Sequence, residues 1–284
     1  MSVINSISPM MGASGGAAAS PGFLGDIEGV SLDTNIICCL DAGAEDSYDG
    51  SSQDWLDLTE TNIDWWRGTN DGAAANDPAF NGTSGNESSS EYFSFDGGDW
   101  LTVKTQPAEF QPWHKDNAAF TAVFWIFIPT GGMNNSRFIS DCTSNAASTG
   151  FKFGTEGSGT LDDFFCQCLD STTSPPMTGT SSETAHVTEN AWNMIAVSID
   201  EAAGAGGSFF YKRAGASSTI DAFNATYATP SAGSATFDMH IGADGGTGSP
   251  VVSGTRMAGV FLFSTNLSQA NLDSIYTATN RSFV

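Results

Sequence analysis

Hydrolysis needs reactive side chains at fixed separations, and few groupings in this chain qualify. Cleaving a glycosidic bond takes two carboxyl groups, one to protonate the leaving oxygen and one to attack or to activate water. The nearest acidic neighbours are Glu45 with Asp46, Asp162 with Asp163, and Asp200 with Glu201. They point to opposite faces of a strand or lie in loops, and read as solvated carboxylates. The string Gly-x-Ser-x-Gly occurs at Gly12 to Gly16, but a nucleophile elbow needs a strand before it and a helix after it, and here it falls in a Gly- and Ala-rich stretch. His114, His186 and His240 are far apart and lack metal-ligand spacing. No catalytic residue is assigned, and a non-enzymatic role is expected.

Binding chemistry is better represented. Sugar sites set aromatic faces against the C–H side of pyranose rings and add hydrogen bonds from Asn and Asp. Among seven tryptophans, Trp65, Trp66 and Trp113 have polar neighbours (Asp64, Arg67, His114, Lys115) and are the candidates for an exposed platform. Packing or a subunit interface is the plainer reading of each. Trp125 and Trp192 belong to apolar strands and read as core. For a calcium ion at a loop rim the candidate ligands are Asp41, Asp46, Asp49, Asp99 and Asp244. None has EF-hand spacing, and turn-forming Asp is the simpler reading. The five cysteines are an odd number without disulfide-framework spacing, so at most some of them pair, and Cys166 and Cys168, which share a strand face but have no CxxC partner or nearby His, read as small buried hydrophobes and not as metal ligands.

These side chains must be positioned by strands. With 14% charged residues and abundant Gly, Ser, Thr, Asn and Asp, solubility comes from turn chemistry and not from a Lys/Glu-laced helical surface. Short apolar runs such as Ile36 to Leu40, Trp100 to Val103, Phe164 to Leu169, Met194 to Ile199 and Met257 to Phe263 alternate with polar loops, the pattern of an all-β sandwich. Phe120 to Ile128 is apolar on both faces and belongs between covering layers. Phe93 to Val103 reads as a hairpin closed by an Asp-Gly turn. Ser268 to Tyr276 has an N-cap and helical spacing, so a short helix ends the chain. Residues 1–30 show no period and read as an arm or anchor, with the sandwich spanning 31–284.

Nine basic against 32 acidic residues give a formal charge of -23, which repels phosphate backbones and anionic lipid, so no nucleic-acid partner is expected, and nowhere do 18 apolar residues run together, so no membrane insertion is expected. A basic n-region followed by an apolar run is lacking, so the expectation is a chain made in the cytoplasm.

Several segments resemble, in order, the concanavalin A-like lectin and glucanase superfamily, in particular its laminin-G-like branch. They are Leu40-Asp41-Ala42-Gly43, Ser47-Tyr48-Asp49-Gly50, Trp55-Leu56-Asp57-Leu58, Phe93 to Gly97, Trp192 to Asp200, Ile241-Gly242, Gly259 to Phe263 and Leu267 to Tyr276. The resemblance covers roughly residues 33–284 and implies a jelly-roll β-sandwich. The superfamily's hydrolases carry Glu-x-Asp-x-(x)-Glu along one strand, a string this chain lacks. The early segments are most similar to the form found in virion proteins of tailed bacteriophages. The resemblance therefore implies a structural component of a virion, in head decoration, head fibre or tail fibre. Such a component would be held to other virion proteins by its arm, would be homo-oligomeric, and would display a lectin-like face to host-surface glycans. The alternative is a surface or secreted bacterial adhesin that binds carbohydrate. No cofactor beyond the calcium ion weighed above is expected.

Overall fold

A computed structural model of the chain describes residues 20–143, 148–156, 163–171, 177–181, 187–227 and 231–283. In chain order the elements are α1 (Gly22–Gly29), β1 (Ile36–Asp41), β2 (Asp54–Trp55), β3 (Trp65–Arg67), β4 (Ala79–Asn81), β5 (Tyr92–Ser94), β6 (Leu101–Val103) and a 3₁₀ helix Ala108–His114. Then follow β7 (Ala119–Ile128), β8 (Arg137–Ser140), β9 (Thr149–Glu156), β10 (Asp163–Asp170), β11 (Met177–Thr180), β12 (Ala191–Asp200) and β13 (Ala205–Arg213). The chain closes with β14 (Ser218–Asn224), β15 (His240–Ile241), β16 (Arg256–Phe263) and α2 (Gln269–Thr279).

Among the described residues all strand pairings are antiparallel and build two eight-stranded sheets. Sheet A runs β14-β13-β12-β7-β16-β5-β4, with β1 also paired to β16, and sheet B runs β11-β10-β9-β8-β15-β6-β3-β2. The expected jelly-roll-type sandwich is the observed fold.

Strand β7 explains the layering. Phe120, Phe124 and Ile126 enter the core between the sheets, while Val123 and Trp125 enter a second core on sheet A's far face. Period-two alternation makes a strand that is apolar on both sides cover two cores. Helix α2 roofs the second core with Leu272, Ile275 and Tyr276, and Ser268 starts it with a capping box closed by Asn271. Cys38 and Cys39 point to opposite faces of β1 and serve one core each.

Two expectations need correcting. Helix α1 lies within the stretch read as an arm, and its Phe23, Leu24 and Ile27 are buried in the second core. Phe23 and Ile27 fall four apart, one helical turn, so they share a face that the flanking glycines hid from periodicity. Residues 1–19, including the Gly12 to Gly16 string, lie outside the described residues. Phe93 to Val103 is not a hairpin, because β5 pairs with β4 and β16 in sheet A while β6 pairs with β3 and β15 in sheet B. The turn at Asp96 to Asp99 instead hands the chain between sheets, with Asp99 Oδ2 accepting the Asp96 amide at 2.7 Å and Gly97 at φ +98°.

Candidate functional site

The three-tryptophan platform does not form. Trp65 is fully buried between the sheets beside Phe110, and Trp113 stacks on Phe120 with ring centroids 4.3 Å apart. Of the polar neighbours that suggested exposure, Asp64 and Lys115 flank β3 and the 3₁₀ helix, Arg67 ends β3, and His114 ends the 3₁₀ helix, whose apolar side faces the core. Trp66 alone points outward, half-buried, because alternation along β3 sends it away from Trp65. His114 follows Trp113 inward, and burial pushes its pKa down to about 4.

Trp100, which was not singled out from the sequence, joins Trp66. Leu101 and Val103 of β6 face the core, so Trp100, Thr102 and Lys104 face away from it. Trp66 pairs with Thr102, which makes Trp100 its diagonal neighbour, a separation of about 7–8 Å that aromatic side chains can bridge. Strand alternation beside Trp100 was the signal that could have found it.

The pairing register extends this pair into a row across sheet B's outer face. Asp54, Trp66, Thr102, His240, Ser140, Lys152, Gln167 and Thr178 stand opposite one another in succession. At about 4.8 Å per strand the row spans about 34 Å. Asp54, Trp66 and Gln167 are half-buried and Thr178 is exposed, whereas the four residues between Trp66 and Gln167 are buried. Burial lowers the His240 pKa, opposed by the Asp238 carbonyl 2.8 Å from Nδ1.

Around the tryptophans the polar groups are fixed but not saturated. Lys104 Nζ lies 2.8 Å from Asp54 Oδ2 and 3.7 Å from Asp64 Oδ2, while Asp54 Oδ1 and Trp100 Nε1 are buried without a partner. Gln53 Nε2 donates to Asp77 Oδ2 at 2.6 Å, and Asn76 Nδ2 donates to Thr69 Oγ1 at 2.9 Å. Gly68, at φ +73°, lets this rim close up: a Cβ there would stand 2.2 Å from Asp77 Oδ1. Two indole faces ringed by carboxylate, amide and hydroxyl groups can stack on a sugar and hydrogen-bond its hydroxyls.

The five calcium candidates are dispersed. Asp41 is fully buried and accepts from Arg281 and from the Phe23 and Gly43 amides. Asp49 accepts the Ser51 and Ser52 amides, which lower its pKa, and Asp244 Oδ1 accepts the Gly246 and Gly248 amides. Asp99 belongs to the crossover turn, where burial raises its pKa to about 6, and Asp46 is exposed. Among the described residues no three His, Cys, Asp or Glu side chains converge. Glu201 is not a solvated loop carboxylate: it is buried and accepts the Asn117 and Tyr227 amides at 2.9 and 3.2 Å. Asp162 and His186 lie outside the described residues.

No protein-family profile and no curated protein matches the sequence. Solved structures do match in shape. The GH54 α-L-arabinofuranosidase soaked with a cyclic sulfate inhibitor superposes with TM-score 0.57 at 8% identity, over 92% of this chain and 65% of its own. The binding domain of botulinum neurotoxin DC in complex with SialylT gives 0.54 at 10% identity, over 88% of this chain and 52% of its own. Domain 4 of an extracellular GH43 arabinanase from Geobacillus stearothermophilus, in complex with arabinotriose, gives 0.51 at 10% identity, over 85% of this chain and 98% of that domain. The chain thus spans about half the length of the toxin structure and nearly the whole arabinanase domain. At these identities the likeness establishes a shared β-sandwich fold.

Proposed function

We propose that this protein is a non-catalytic, glycan-binding β-sandwich carried on the virion of a tailed phage, as a head decoration, head fibre or tail fibre component. The saccharide would lie on sheet B's outer face against Trp66 and Trp100. The observation that carries this reading is the diagonal placement of those two tryptophans on one sheet face, beside buried polar atoms that have no partner. A stacked sugar shields an indole face, and its hydroxyls hydrogen-bond the accessible carboxylate, amide and hydroxyl groups of the rim.

The fold neighbours support the sugar part of the proposal, since two were determined with saccharide or glycan ligands named in their descriptions. The virion part is supported by the ordered segments from Leu40 to Leu58 and by their similarity to the phage form. The non-catalytic part is supported by the structural employment of Glu201 and Asp41, whose oxygens are engaged by backbone amides or by Arg281. Shallow aromatic sites bind weakly one at a time, and many copies on one particle would convert that into avidity.

Two measurements test the proposal. Mass spectrometry and immunogold microscopy of purified particles should place the chain in the virion, and its absence there would favour a cell-surface adhesin. A glycan array probed with a multimerised form should give signals that weaken in Trp66→Ala and in Trp100→Ala.

A further inference from the structure

An acidic protein with nine basic residues has placed two of them, Arg137 and Lys152, in the buried part of sheet B's outer face, 3% and 2% exposed. Both address one ring. The Arg137 guanidinium carbon lies 5.1 Å and Lys152 Nζ 5.4 Å from the centroid of Phe165. The register explains this: Gly154 stands between Arg137 and Phe165, and having no side chain it leaves the guanidinium free to reach across.

Their charges are not closed by ion pairs. Lys104, Arg213 and Arg281 each have a carboxylate within 4 Å, whereas Arg137 and Lys152 have none among the described residues. Arg137 Nη1 donates to the carbonyls of Ser136 and Thr155, and its Nε is buried with no partner. Asp244 and Glu156 act on both cations only at longer range, and Asp244 Oδ1 is taken by backbone amides. Burying two cations without a paired anion is costly, and a bound anion would relieve it. Burial lowers the pKa of each, because desolvation disfavours the charged form, with Glu156 and Asp244 opposing the shift.

We infer that Arg137 and Lys152 form a carboxylate subsite for an acidic sugar unit, on the face whose tryptophans stack on neighbouring units. This rests on the glycan-binding reading above and names its substrate class. Lys152 lies four strands from Trp66 in the same row, about 19 Å away. The formal charge of -23 repels densely charged polyanions at a distance, so the fitting ligand carries isolated carboxylates.

The test titrates the intact protein, by calorimetry at low salt, with trigalacturonate and its methyl ester, with 3′-sialyllactose and lactose, and with a sulfated lactose. A carboxylate glycan should bind at least about tenfold tighter than its neutral counterpart, the scale of one charge-assisted contact. Lys152→Met should erase that preference while keeping neutral-sugar binding, and Arg137→Gln should do the same if it folds. Equal binding of acidic and neutral forms, or a preference that survives Lys152→Met, overturns the subsite. Neutral sugars bound through Trp66 with no acid preference would leave the glycan reading standing without the subsite. Preference for the sulfated ligand alone would contradict the carboxylate class, and silence from every glycan would remove both proposals.

Discussion

Trp65 and Trp66 are adjacent in the chain and lie on opposite faces of one short strand, the first fully buried between the sheets and the second half-buried on the outer face. A single strand position therefore separates a stabilising side chain from a binding one. Trp65→Ala should lower unfolding free energy by about 3–5 kcal/mol, and Trp66→Ala by less than about 1 kcal/mol. Urea denaturation of both variants checks this, and equal losses would contradict the assigned faces.

Arg281 ties α1 to β1. It donates from Nη1 to Asp41 Oδ1 at 2.8 Å, and its guanidinium carbon lies 3.7 Å from the Phe23 ring centroid. Asp41 is fully buried, so Arg281→Ala leaves a carboxylate without its counterion and should cost about 3–5 kcal/mol. Removal of residues 1–19 should cost much less than removal of residues 1–29, because only the longer deletion takes away Phe23 and Ile27. Comparable midpoints for the two truncations would show that α1 contributes nothing.

Stability should carry a pH signature from Asp141. Burial raises its pKa to about 7, against about 3.9 in the unfolded chain, although it accepts the Phe151 amide. Between those values the unfolded state releases a proton that the folded state retains, so this group's contribution falls as pH rises from about 4 to about 7. His114 opposes it. Burial holds its folded pKa at about 4, below the ordinary 6.5, so its contribution rises with pH over about 4–6.5. Asp141→Asn should gain stability relative to the unaltered protein as pH rises through that window. A difference that is flat with pH would refute the assignment.

The five cysteines are free and buried, and burial pushes their thiols up. A thiol-reactive dye should label none of them in native protein and all five after unfolding. Rapid native labelling would place at least one in an open segment.

The sequence made the layers legible where side chains repeat. Phe120 to Ile128 announced a strand between two cores, and Ser268 announced the last helix. It concealed what depends on partners far along the chain. Nothing local tells that β5 and β6 part to different sheets, or that β4, with only three residues, belongs to sheet A at all. The exposed edge strand β14 has too little apolar alternation to stand out. For the site, two consecutive tryptophans disclosed a strand but not which of them faced out, since a shift of one residue exchanges the faces. Trp100 was visible through its alternation with Leu101 and Val103, but its meeting with Trp66 required the register.

The most direct measurement of the central claim is the affinity of the multimerised protein for its best array glycan, compared among the unaltered chain, Trp66→Ala, Trp100→Ala and the outward control Ile220→Ala. Ile220 is exposed on sheet A, away from the proposed face. Loss of one stacking aromatic should weaken each contact about five- to tenfold and lower avidity further, with folding intact in both tryptophan variants and no change in the control. Full affinity in both tryptophan variants, with loss confined to the control, would put the glycan on another surface and contradict the account.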